Sequence, residues 1–166
     1  MPLNLINSIS AAGAAHTNST TEAAIASWTI PGYFFQAGRI IVVEGYCRAT
    51  ATNSTDTLTT RLVVGASTLA GTAIATSAAV DVANDDICAF RTIMHARDVD
   101  SSGTIVTQTI MNNPDATGQA TRSFAVAVAS LDMTAALLFE VGADWSVADA
   151  GNSVQMEQFL VYEIKA

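Results

Sequence analysis

The sequence predicts an all-β protein: an antiparallel β-sandwich of eight or nine strands with an extended N-terminal arm. Three observations predict this fold. Apolar residues recur at every second position in one run after another, and short segments rich in Gly, Asn, Asp and Ser separate these runs. No segment shows the 3.6-residue period of a helix. A chain of 166 residues is ordinarily one domain around one core.

The composition is apolar and poor in charge. Hydrophobic residues make up 50% of the chain and charged residues 13%, against about 25% charged residues in a typical soluble domain. The mean hydropathy is +0.35, yet no run of about 18 apolar residues could span a membrane, so no membrane partner is expected. The excess apolar surface therefore predicts contact with other protein, either further copies of this chain or a larger assembly.

The net charge argues against nucleic acid as a partner. It is -8, and the seven basic residues are spread singly along the chain. Binding to phosphate needs clustered Arg and Lys that replace counterions, so no nucleic-acid partner is expected.

The N-terminal residues 1–21 differ from the rest of the chain. They are rich in Ala, Ser, Asn and Thr, show neither period, and lack the basic region of a secretory signal. We predict an extended arm over residues 1–21 and a β-sandwich domain over residues 22–166. The arm's apolar residues are predicted to pack on a neighbouring protein, and a frayed terminus is the alternative. These residues are Leu3, Leu5, Ile6 and Ile9.

The run over residues 39–51 is the longest alternation in the first half of the chain. One set of its alternate residues predicts a core face, but the other set also begins with apolar residues: Ile40, Val42 and Tyr46. A strand with two apolar faces fits packing on the core along one face and on a partner subunit along the other. These three residues are therefore predicted to contact a partner subunit.

The remaining runs predict the other strands. They cover residues 24–30, 58–64, 87–95, 104–111 and 124–128, with a weaker run over 67–76 that Gly71 interrupts. Residues 112–118 are predicted to be a loop because they combine Asn, Pro, Asp and Gly. The last two runs, residues 135–145 and 154–164, are predicted to fold back on each other as an antiparallel pair in the middle of the sandwich.

Cys47 and Cys88 both lie within predicted strands, on apolar faces. Free buried thiols are one interpretation, and a disulfide between neighbouring strands is the other. Their spacing does not indicate a metal site.

One acidic segment partly matches a calcium-binding loop. Asp98, Asp100 and Ser102 stand at alternate positions before Gly103, as in the first half of an EF-hand loop. The twelfth position, however, is Thr109 instead of a bidentate Glu, and strands flank the segment instead of helices. We therefore expect an acidic turn and predict no metal or cofactor.

The candidate catalytic residues are few. His95 is followed by Arg97 and Asp98 and could in principle act as a general base, but no Gly-x-Ser-x-Gly motif is present. Trp28 and Trp145 could stack on a sugar, but they fall on predicted inward faces and are expected in the core. We predict that the chain is not an enzyme and has no catalytic residues.

Four segments carry a resemblance to known proteins: residues 16–22 (HTNSTTE), 49–59 (ATATNSTDTLT), 79–85 (AVDVAND) and 143–154 (ADWSVADAGNSV). In these segments the chain resembles a group of small structural proteins of tailed bacteriophages, over about residues 15–163. The resemblance implies a jelly-roll-like sandwich that serves on the virion as a capsid decoration (cement) protein, commonly a trimer. It supplies no catalytic residues.

From these observations we expect a capsid decoration protein that binds the mature head as a homotrimer and stabilises it. Its partners would be the major capsid protein and its own copies, and it would lie on the capsid surface of a virion assembled in the host cytoplasm. The predicted capsid contact consists of Leu3, Leu5, Ile6 and Ile9, and the predicted trimer contact of Ile40, Val42 and Tyr46. The alternative is a receptor-binding or structural module of a tail fibre or head spike. A more distant alternative is an enzyme that acts on cell-wall polysaccharide.

Overall fold

A computed structural model of the chain describes residues 3–9, 11–53, 55–83, 85–115 and 118–164, with the backbone alone described for residues 114, 115 and 118–121. The described residues form strands and connecting turns, without a helix, which confirms the predicted all-β fold. The strands are β1 (Leu3–Ile9), β2 (His16–Thr17), β3 (Ala23–Ile30), β4 (Ile40–Thr50), β5 (Thr57–Gly65), β6 (Thr72–Thr76), β7 (Val80–Asp81), β8 (Asp86–Asp98), β9 (Gly103–Asp115), β10 (Gly118–Leu131), β11 (Leu137–Trp145) and β12 (Ser153–Ile164).

The strands form two antiparallel sheets packed face to face. Sheet A has the order β1-β12-β4-β8-β9-β10, with the short β2 also paired to β12. Sheet B has the order β3-β11-β5-β6, with β7 paired to β5. The pairs β2–β12, β3–β11, β4–β8 and β5–β6 alternate between the two sheets as the chain proceeds, which is the topology of a jelly roll. Strand β1 and the β9–β10 hairpin are additions that widen sheet A at its two edges.

The core lies between the sheets and consists of the alternate, inward-facing residues of both. At its centre are three phenylalanines from β8, β11 and β12: Phe90, Phe139 and Phe159. The ring centroid of Phe139 lies 6.5 Å from that of Phe90 and 6.1 Å from that of Phe159. Trp28 and Trp145 are also buried in this core.

The two closing strands are not partners, contrary to the prediction. β11 pairs with β3 and β5 in sheet B, whereas β12 pairs with β1, β2 and β4 in sheet A. Both strands do lie in the interior of their sheets. A period of two identifies the buried face of a strand but not its sheet, and here the two buried faces meet across the core. The turn between them is held by Asn152, which is fully buried and donates to the Asp56 carboxylate at 2.9 Å.

The loop predicted over residues 112–118 is also wrong. β9 continues to Asp115 and β10 begins at Gly118, and these two residues are paired, so only residues 116–117, which lie outside the described residues, connect the strands. Asn113 is buried in the extension, and its amide nitrogen donates to the Thr60 hydroxyl of sheet B at 3.2 Å. Packing on the opposite sheet thus overrides the local turn preference of Asn and Pro.

The segment predicted as an arm contains two strands that pair with β12. β1 lies along the C-terminal half of β12 and β2 along its beginning, so residues 3–9 form an edge strand of sheet A. The register shifts between Leu5 and Asn7, and Ile6 and Ile9 pack against the core. None of the described segments is a helix long and apolar enough to cross a membrane.

Candidate interaction surface

The interior of the sandwich has little space for a ligand around its two cysteines. Cys47 and Cys88 are paired directly across β4 and β8, and both are buried and free. A hydrogen bond with the Cys88 thiol, together with burial, raises the pKa of Cys47 well above its ordinary value, so this thiol stays protonated at neutral pH. The adjacent cavity, lined by both thiols, Thr60 and Asn113 among others, measures about 10 Å³ and has room for one water molecule.

The acidic segment after β8 forms a turn. The Asp100 carboxylate accepts a hydrogen bond from the Ser102 backbone N–H at 2.7 Å. Among the residues that the structure describes, no group of three or more His, Cys, Asp or Glu side chains is placed to hold a metal ion. Asp98 and Ser102 are exposed.

The feature that stands out is the outer face of sheet A, the face turned away from the core. Side chains of directly paired residues project from the same face of a sheet. Two cross-strand rows run over this face, one from Leu5 through Tyr162, Val42, Ile93 and Gln108 to Ala125, the other from Leu3 through Ile164, Ile40, His95 and Val106 to Ala127. We call these twelve residues the apolar face.

The apolar face has an unusual composition for a surface. It contains no carboxylate, lysine or arginine, and nine of its twelve side chains are aliphatic or alanine, as its two rows show. Leu3 and Leu5 are 64% and 55% exposed. Contiguous apolar surface is uncommon on monomeric soluble proteins, which makes this face the candidate interaction surface.

Charged groups border the apolar face on one side. Along the next row of sheet A, Glu44 pairs with Arg91, with a nitrogen–oxygen distance of 3.5 Å. Burial, and then the nearby Glu44 carboxylate, raise the pKa of Tyr162 above its ordinary value, so its hydroxyl remains a neutral donor. Farther along the same face, Arg48 contacts Glu157 at 2.9 Å.

The structure brings together residues that were predicted to serve separate contacts. Leu3 and Leu5, predicted for the capsid contact, share the apolar face with Ile40 and Val42, predicted for the trimer contact. Val42 is only 2% exposed, because it lies between Tyr162 and Ile93.

The other predicted contact residues lie elsewhere. Tyr46 is on the outer face of sheet A but beyond the Glu44–Arg91 pair, near Arg48. Ile6 and Ile9 face the core. Four residues of the apolar face were not predicted to lie at the surface, although each alternates with core residues in its strand: Tyr162, Ile164, Ile93 and Val106.

The outer face of sheet B is polar by comparison. Arg61 donates two hydrogen bonds to the Glu22 carboxylate, at 2.8 and 2.5 Å. Glu140 is buried beneath the segment that precedes β6 and accepts a hydrogen bond from the Leu69 backbone N–H at 2.6 Å. Burial and the neighbouring Glu22 carboxylate raise the pKa of Asp144. Both outer faces of the sandwich therefore carry ion pairs, and the apolar face is the part of sheet A whose two rows contain none.

No family model matches the chain, and no curated protein matches it. Among solved structures, it is similar to the VP2 subviral particle of infectious bursal disease virus, with a TM-score of 0.43 and 12% identity over 98% of this chain and 33% of that chain. It is also similar to peanut lectin, with a TM-score of 0.43 and 6% identity over the whole of both chains. The chain spans about a third of the length of the viral protein. At these scores and identities, neither similarity bears on family or function.

Proposed function

We propose that this chain is a structural protein of a tailed-bacteriophage virion: a capsid decoration (cement) protein that binds the mature head as a homotrimer and stabilises it. The observation that carries the proposal is the apolar face of sheet A. The resemblance of residues 16–22, 49–59, 79–85 and 143–154 to phage structural proteins supports the virion role, and the low content of charge supports an assembled state.

The position of the apolar face on sheet A gives the proposed orientation. Sheet A faces protein and sheet B, with its Arg61–Glu22 ion pair, faces solvent. The part of the apolar face on β1 and β12, which includes Leu3, Leu5 and Ile164, contacts the major capsid protein. The part on β4, which includes Ile40, contacts the next copy in the trimer.

The proposed mechanism is thermodynamic. A protein that binds the mature lattice but not its precursor or dissociated subunits stabilises the mature shell by its own binding free energy. Because each buried Å² of apolar surface contributes about 25 cal/mol, a contact dominated by Leu, Ile and Val side chains can supply that energy without any charged group.

Heating particles that lack this protein tests the proposal. Such particles are expected to release their genome at a lower temperature than complete particles, and added purified protein should restore the original temperature. Particles given buffer alone are the control. Equal release temperatures with and without the protein would contradict the decoration role, and lost adsorption to host cells with unchanged head stability would favour a fibre or spike.

A further inference from the structure

The free edge of β10 is the longest unpaired strand edge in the described part of the chain. β10 pairs with β9 alone, and the β9–β10 hairpin is an addition to the jelly-roll strands. An unpaired edge offers a row of N–H and C=O groups to another strand, and natural proteins usually block such edges with charges, proline or bulges. Residues 118–131 contain one charged residue, Arg122, and no proline. Up to the register shift after Val128, this edge is therefore open to strand addition.

The core beneath this edge is incomplete. Phe124 and Val126 point inward from β10, opposite Thr109 and Thr107 of β9, and pack against the core while remaining partly exposed. Interior strands of the sheet have a neighbour on each side that covers such residues, but β10 has none beyond it. A strand added at this edge would complete the burial of both side chains.

We propose that β10 pairs antiparallel with β10 of a second copy of this chain, about a two-fold axis at Ala125. The regular part of the edge is residues 122–128, because the register shifts between Val128 and Leu131 and Ser130 has a φ of 60°. In this register Phe124 lies opposite Val126 of the second copy on the core side. An aromatic residue opposite a β-branched one is a favourable cross-strand pair.

Self-pairing of this strand meets no electrostatic obstacle. The chain carries a net charge of -8, yet β10 itself contributes no carboxylate to the contact. The two copies of Arg122 stand six residues apart along the pair, roughly 20 Å, which exceeds the screening length of about 8 Å at physiological salt. On the outer side, Ser123 lies opposite Ala127 and Ala125 lies opposite its own copy. These small side chains leave room for the two strands to approach closely.

The contact has the size that a specific interface needs. Seven paired residues provide roughly seven backbone hydrogen bonds, within the range of about 10 ± 5 found in specific interfaces. Pairing would join two seven-stranded sheets into one. Because Ala125 and Ala127 end the two rows of the apolar face, the apolar faces of the two copies would form one continuous surface. The inference does not depend on the virion role; in a trimer, this edge would link one trimer to the next.

Charge substitution at the axis tests the pairing. Ala125 is exposed, so Ala125→Lys and Ala125→Glu should each fold normally, as circular dichroism and urea unfolding would check. Each variant alone is expected to sediment at a lower mass than the wild type, because like charges meet at the axis. The mass should fall by half if β10 pairing is the only contact between copies in solution, and to that of a single trimer if trimers form. An equimolar mixture of the two should regain the wild-type mass. The matched control is Ala24→Lys, which places the same charge on an exposed alanine of β3, the edge strand of sheet B, and should keep the wild-type mass.

Two results would overturn the inference. In the first, the wild type and the Ala125→Lys variant have the same sedimenting mass. In the second, the mixture of the Ala125→Lys and Ala125→Glu variants fails to regain the wild-type mass. Neither result would bear on attachment to the head, which is measured on particles.

Discussion

Replacing Phe139 with alanine is expected to lower the free energy of unfolding by about 3–5 kcal/mol. Phe139 lies on the central strand of sheet B, is fully buried, and contacts the rings of Phe90 and Phe159 from sheet A. Its truncation leaves a cavity at the point where the two sheets meet, and neighbouring side chains in a packed core relax only partly into such a space. Urea unfolding measures the loss as a lower midpoint at an unchanged slope.

The control for this prediction is Val147→Ala, at a side chain that is 47% exposed in the turn between β11 and β12. It should change the free energy of unfolding by no more than about 0.5 kcal/mol. A loss below about 1 kcal/mol for Phe139→Ala would contradict the placement of this ring at the centre of the core. Since domains of this kind are stable by only about 5–15 kcal/mol, the expected loss is large.

The double variant Leu3→Ser, Leu5→Ser is expected to weaken attachment to the head by about 2–3 kcal/mol, roughly a 30- to 150-fold rise in Kd. Both side chains are more than half exposed and lie on the apolar face, so the proposed contact buries them while the fold does not need them. Titration of labelled protein onto particles that lack it measures the effect. Unfolding midpoints of the variant and the wild type should be similar.

A double variant Tyr33→Ser, Val147→Ser is the matched control for attachment. It removes two exposed apolar side chains, 75% and 47% exposed, from turns outside the apolar face. It should bind particles as the wild type does. If both double variants bind equally well, the apolar face is not the capsid contact.

Alternation in the sequence was sufficient to predict most strands and their faces. In β4, for example, Ile41, Val43 and Cys47 face the core and Ile40, Tyr46 and Arg48 face outward, as the period of two predicts. The face on which a side chain lies is a local property, because it depends only on neighbours within one strand.

Pairing between strands is not local, and the sequence predicted it poorly. β11 and β12 were expected to pair because a short turn joins them, but the turn carries the chain from one sheet to the other. The length of β9 and β10 was underestimated because the burial of Asn113 against Thr60 depends on a strand about fifty residues away.

The candidate surface illustrates the same limit. Leu3 and Ile40 could each be recognised as outward-facing apolar residues, but only their separate pairing with Ile164 on β12 shows that they share one surface. Ile6 was grouped with Leu3 and Leu5 because all three are apolar. Strand alternation alone places Ile6 on the face opposite to Leu5, whereas Ile9 reaches the core because the register shifts between Leu5 and Asn7, and no sequence pattern indicated this shift.

The number of copies of this protein per particle tests the decoration role most directly. Quantitative mass spectrometry of purified particles gives its amount relative to the major capsid protein. We predict a stoichiometry comparable with that of the shell protein, because only the capsid lattice offers so many equivalent sites. A handful of copies would instead indicate a fibre or spike, and absence of the protein from particles would contradict the virion role altogether.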